Sequence, residues 1–134
     1  MIPVYPLATK VILCIDDDPS ILRYERALLE RSGCSVLTAS SVREALHLVE
    51  TLHCDAVLLD YQMPGMYGHD VASEIKRRKP ELVIILLSGG EVPSHALTVV
   101  DAFIPKLEAS QQLLPIIVHL CNSDQDTRRR QESA

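Results

Sequence analysis

No apolar stretch in this chain approaches the roughly twenty residues needed to cross a bilayer. Nor does the start, MIPVYPLATK, place a charged segment ahead of an apolar core, so it does not read as a signal peptide. Excess positive charge is missing too. The formal net charge of -5 gives no electrostatic help toward nucleic acid or an anionic membrane, and both are set aside as primary partners. The one basic run, Arg128-Arg129-Arg130, sits beside Asp124, Asp126 and Glu132 and reads as part of a solvated tail. Paired cysteines are lacking as well: Cys14, Cys34, Cys54 and Cys121 form no C-x-x-C. They are expected to be reduced and mostly packed, in a cytoplasmic protein.

What is present is an ordinary globular composition, 47% apolar and 23% charged over 134 residues, which suits one compact domain. Short apolar runs alternate with amphipathic stretches. Strands are expected at residues 10–15, 35–39, 55–59, 82–87 and 102–104. The first helix opens at Asp18-Pro19, with aspartate as N-cap and proline at the first helical position. Its pattern sets Ile21, Leu22, Leu28 and Leu29 against polar Arg23, Glu25, Arg26 and Glu30, with Gly33 as a stop. Ser41 and Glu44 form a capping box for the second helix. The third carries Val71 and Ile75 and ends in four basic residues, 76–79, that suit a helix C-terminus. The last spans about 108–121, with Pro115 as a bend or a first-turn constraint. Residues 123–134 have no apolar face and are expected to form a polar, mobile tail after a domain of residues 1–122.

The order is β-α five times. Continuous apolar strands imply a parallel sheet covered by helices on both faces. In such sheets ligands bind beyond the carboxyl ends of the strands. Asp16 and Asp17 follow the first run, Asp60 the third, Ser88 the fourth and Lys106 the fifth. Acids crowded on one rim need a counter-charge or they protonate. Lys106 supplies one positive charge, and Mg²⁺, which takes oxygen ligands while keeping some waters, would supply two more. No His or Cys lies at these ends, which argues against zinc. Carboxylates, a hard cation, an amine and a hydroxyl together suit phosphoryl transfer, with one carboxylate as nucleophile. Taken singly, an Asp after a strand reads as a turn former or helix cap. Asp60 is the sharpest exception, because Tyr61-Gln62-Met63-Pro64 follows and offers no helix to cap.

Four motifs, I-D-D-D-P at 15–19, L-L-D-Y-Q-M-P-G at 58–65, L-L-S-G at 86–89 and F-I-P-K at 103–106, resemble the receiver domain of bacterial two-component response regulators. The likeness covers about residues 9–121. It implies a CheY-like, flavodoxin-like five-stranded sheet in the order 2-1-3-4-5. It implies that Asp60 accepts a phosphoryl group from a sensor histidine kinase or phosphotransfer protein. Asp17 and Asp60 would ligate Mg²⁺ with the backbone carbonyl of Gln62, and Asp16 would help through a bound water. Lys106 would pair with a phosphoryl oxygen, Ser88 would donate its hydroxyl, and Phe103 would hold the aromatic switch position. A downstream protein target follows from the same likeness, and a homodimer is a further expectation.

Three positions depart from the family pattern. Leu107 stands where a proline, joined by a cis bond, is usual. The stretch from Ser88 to Lys106 is short and contains Pro93, so the fourth helix is expected to be short or irregular. Phe103 replaces the usual tyrosine. No effector segment follows, which fits a single-domain receiver or one domain of a longer protein. Two other readings compete. Asp16-Asp17-Asp18 also resembles the opening of haloacid-dehalogenase-type phosphatases, with Asp16 as nucleophile, although no acidic pair follows Lys106 and Asp60 would go unexplained. The fold would equally serve as a phosphorylation-independent interaction module.

Overall fold

The computed structural model describes residues 7–133, with side chains through Asn122. Five strands form one parallel sheet: β1 (Val11–Ile15), β2 (Ser35–Ala39), β3 (Ala56–Asp60), β6 (Val83–Ser88) and β7 (Ala102–Pro105). Their order is β2-β1-β3-β6-β7. Counted along the sheet strands alone, this is the expected 2-1-3-4-5. A two-residue hairpin, β4 (Gln62–Met63) with β5 (Met66–Tyr67), follows β3. Pro64 and Gly65 make its turn, and Gly65 takes φ 89°, the positive value that favours glycine at the third position of a type II turn.

Helices α1 (Pro19–Glu30), α2 (Val42–Thr51), α3 (Gly68–Arg78) and α4 (Ala109–Ser133) cover the sheet. One apolar cluster joins α1 and α4 to one face through Ile12, Cys14, Leu29, Leu58, Ile85 and Leu113. The other joins α2 and α3 to the opposite face through Leu13, Val49, Val57, Ile75, Ile84 and Leu86. Strands β3 and β6 are buried at every residue, as central strands of a doubly covered sheet must be.

The local signals work as chemistry requires. Asp18 has extended backbone angles and accepts the Ser20 N–H at 2.8 Å, with Pro19 opening α1. Ser41 Oγ accepts the Glu44 N–H at 3.2 Å. After Glu30 the chain passes Gly33, whose φ of 89° reverses it into β2. None of the four cysteines is joined in a disulfide, and three of them are buried.

The fourth crossover holds no α-helix. Ser94–Val99 forms a 3₁₀ helix instead, as its short, proline-led sequence foretold. Two features of α4 bear on the sequence pattern. Pro115 lies inside α4 and not in its first turn. The backbone of α4 continues to Ser133, past the Cys121 at which apolar periodicity stops. Polar residues with good helix propensity extend a helix without leaving an apolar signature. The expected mobility of the tail concerns side chains outside the described residues.

Candidate functional site

Asp16 directly follows β1, Asp60 ends β3, Ser88 ends β6 and Lys106 follows β7. All lie at the carboxyl end of the sheet because every strand runs the same way. Carboxylate oxygens of Asp16, Asp17 and Asp60 lie within 4.8 Å of one another. Lys106 Nζ sits 3.1 Å from Asp60 Oδ1 and 3.3 Å from Asp16 Oδ2. Asp16 is 1% exposed and Asp60 4% exposed, while Asp17 faces solvent. The three consecutive aspartates therefore serve two ends, with Asp16 and Asp17 entering the cluster while Asp18 caps α1.

Burial pushes the Asp16 carboxyl above its ordinary range. The Asp18 N–H, which donates to Asp16 Oδ1 at 2.9 Å, opposes this; the charge of Asp60 adds to it, and Lys106 opposes it again. For Lys106, burial pulls the ammonium down, yet its bonds and charge contacts with Asp60 and Asp16 outweigh that and lift it above its ordinary value. One ammonium against three acids leaves the rim short of positive charge. The donors are all hard carboxylate oxygens, two buried and one open to water, and this set fits a small divalent cation such as Mg²⁺ that keeps part of its hydration.

The hydroxyl of Ser88 is engaged with its own loop. It donates to the Gly90 carbonyl and accepts the Gly90 N–H, both at 3.1 Å. Phe103 pairs in register with Leu86 and is half-buried against the cluster of α2 and α3. A cavity of about 390 Å³, lined by Ser88, Gly90, Val92, Phe103, Lys106 and Leu107, opens beside the acids. Gln62 begins β4, and its N–H donates to Asp60 Oδ1 at 3.3 Å. No cis peptide bond occurs among the described residues. Lys106 nonetheless reaches the acids, because it opens a 3₁₀ turn (Lys106–Glu108) that turns its side chain inward and leaves Leu107 almost fully exposed.

This constellation coincides with a family-level match. The model of the response regulator receiver domain matches residues 12–118. The chain belongs to that family. The alkaline phosphatase synthesis transcriptional regulatory protein PhoP of Bacillus subtilis is 38% identical over 59% of this receiver and 33% of its own length. Response regulator MprA of Mycolicibacterium vanbaalenii is 34% identical over 77% of this chain and 46% of its own length. The receiver thus spans between a third and half of these curated relatives. Among solved structures, response regulator TrrA of Thermotoga maritima in complex with Mg²⁺-BeF is 32% identical, with a TM-score of 0.76 over 84% of this chain and 99% of that one. TrrA is also known in complex with the histidine kinase ThkA, at 31% identity and a TM-score of 0.78 over 84% of this chain and 98% of that one.

Two features of the receiver escaped the sequence reading. Tyr61, next to Asp60, is buried and stacks on Tyr67 and His69, with ring centroids 6.1 and 5.9 Å away. Gly68 makes this possible, since a Cβ there would fall 2.7 Å from Tyr61 Cα. Glu25, which reads as polar surface in the helical pattern, is buried. A signal for it existed: Leu22, Glu25 and Leu29 are spaced i, i+3, i+7 and share one helix face.

Proposed function

We propose that Asp60 is the phosphoacceptor of this receiver, with Asp16, Asp17 and the Gln62 carbonyl completing an Mg²⁺ site and Lys106 and Ser88 binding the phosphoryl oxygens. The observation that carries this is the contact of a buried strand-end carboxylate, Asp60, with Lys106 at 3.1 Å inside a three-acid cluster. The donor is a phosphohistidine of a sensor kinase or phosphotransfer protein, a reading supported by the kinase complex of the similar TrrA. A carboxylate oxygen of Asp60 attacks phosphorus as the phosphorus–nitrogen bond breaks, and the released imidazole takes up a proton. Lys106 holds Asp60 in place through their 3.1 Å contact, then offsets the charge on the transferring oxygens. Mg²⁺, when bound, adds electrostatic stabilisation of that same charge.

The product carries close to two extra negative charges and three acceptor oxygens. Ser88 then leaves Gly90 to donate to one of them. Phe103 turns toward the space this opens, and the altered surface is read by a protein target. Regulation is a shift between two packings. The working unit is residues 1–122, with 123–134 a polar extension, in a cytoplasmic setting. No helix among the described residues is long and apolar enough to cross a membrane.

Mass spectrometry of the whole chain after incubation with acetyl phosphate and Mg²⁺ tests this. A labile phosphoryl adduct that disappears in Asp60→Ala is expected. An adduct that persists in that variant and maps to Asp16 would overturn the assignment in favour of the phosphatase-like reading.

A further inference from the structure

Glu25 lies in the interior, on the α1 face that packs against the sheet, and is 4% exposed. The Cys14 thiol of β1 hydrogen-bonds its carboxyl group, and Oε2 has no hydrogen-bond partner. Nothing in the phosphoryl-transfer chemistry calls for an acid here, and an apolar residue would continue the stripe of Leu22 and Leu29. Cys14 and Asp16 are two residues apart on extended chain. They project to the same face of the sheet, about 7 Å from one another. Glu25 therefore sits one side chain beneath the acid cluster, inside low-dielectric protein where charges act over such distances.

The titratable groups around it come from several elements. Cys14 and Asp16 belong to β1 and its end, Asp60 to β3, and Lys106 to the turn after β7. Cys34, ahead of β2, and Cys121 of α4 are thiols in the same apolar cluster. Burial pushes Glu25 up to about 8. The Cys14 bond pulls it back, Asp16 and Asp60 push it further, and Lys106 draws it down.

We propose that Glu25 tunes the acceptor site from beneath, holding a proton in competition with the divalent cation bound by Asp16, Asp17 and Asp60. This rests on the reading of that cluster as an Mg²⁺ site. Glu25 touches neither the ion nor the phosphoryl group and acts through the field at Asp16. Cation binding favours the ionised form of Glu25, and the proton leaves to solvent. By reciprocity, loss of that proton tightens cation binding by the same factor. A phosphoryl group on Asp60 works in the opposite sense and returns the proton. Metal affinity and signal lifetime then depend on pH in the slightly alkaline range, where the unperturbed carboxylates do not titrate.

Calorimetric titration of the whole chain with MgCl₂, at pH 6.5, 8 and 9 in two buffers of different ionisation enthalpy, counts the protons released. Wild type is expected to release a fraction of a proton at pH 8. Its affinity should rise about five-fold or more between pH 6.5 and 9, the lower end of ordinary coupling between sites. Glu25→Gln should bind Mg²⁺ with no such release and a flat profile. Equal release in wild type and Glu25→Gln would overturn the inference. Carbon-13 NMR of the Glu25 carboxyl in wild type gives an independent check. Its titration midpoint should fall when Mg²⁺ is added, and an unmoved midpoint in protein that does bind Mg²⁺ would also overturn it. Absence of Mg²⁺ binding at every pH is a different failure, removing the metal reading and this inference together.

Discussion

A single strand end illustrates what residue identity decides in this receiver. Asp60 is almost wholly enclosed, yet Lys106 meets it at 3.1 Å and the exposed Asp17 leaves one side of the cluster open to water. These acids were legible from the chain alone, since charge placed immediately after an apolar run has few structural uses there. Glu25 was not legible, because glutamate within an amphipathic helix ordinarily marks the wet face. The stability consequence has a definite sign. Its carboxyl titrates at about 8 in the folded protein against 4.5 for the unperturbed group, so the folded state holds the proton more tightly. Stability from this group is complete below pH 4.5 and is lost as pH rises toward 8. By linkage the loss between pH 4.5 and 7 is roughly 3 kcal/mol. Urea denaturation of the metal-free chain is therefore expected to show stability falling more steeply with pH in wild type than in Glu25→Gln. Parallel slopes would place the carboxyl outside the core.

At the scale of elements, the hairpin after β3 and the start of α3 form one packed unit around Tyr61. Gly68 opens α3, its N–H donates to the Tyr61 carbonyl at 2.9 Å, and the backbone of Tyr61 passes where a side chain on residue 68 would lie. Gly68→Ala is expected to displace that backbone and destabilise the fold by roughly 1–3 kcal/mol, the usual range for overpacking. Thermal denaturation measures it, and an unchanged midpoint would mean the hairpin yields freely. At the far end of α3, Lys76 Nζ bonds the Leu82 carbonyl at 2.7 Å and Asp101 Oδ2 at 2.8 Å, and the same Asp101 oxygen accepts the Ile84 N–H at 2.8 Å. This brace ties α3 to β6 and β7 across the 3₁₀ crossover that replaces a helix. The crossover was foreseeable, because a proline-led segment of that length cannot close several α-turns. The brace was not, because it depends on side chains 25 residues apart. The hairpin left no periodic signal in the chain, since two-residue strands carry no period.

For the molecule as a whole, alternation of buried strands with amphipathic helices made the architecture readable, and parallel direction then placed every strand-end residue on one rim. Continuation of α4 past its apolar stripe had no such signal. The assembled rim predicts a global response to metal. A cation held only by the folded state raises stability by about 2.7 kcal/mol at a hundred-fold excess over its dissociation constant. The thermal midpoint is expected to climb through the millimolar Mg²⁺ range in wild type. In Asp17→Ala the climb should be largely lost, although the metal-free variant melts near wild type because residue 17 faces solvent. A climb of equal size in the variant would exclude Asp17 as a ligand.

The lysine that completes the rim sits at position 106, ninety residues after the acid it meets at 3.3 Å. During synthesis on the ribosome the aspartates emerge early and wait for β7 to be made and docked. The cluster of acids and amine is thus completed late, only once the last strand of the sheet has been made, and a shorter nascent chain lacks the lysine that joins its acids.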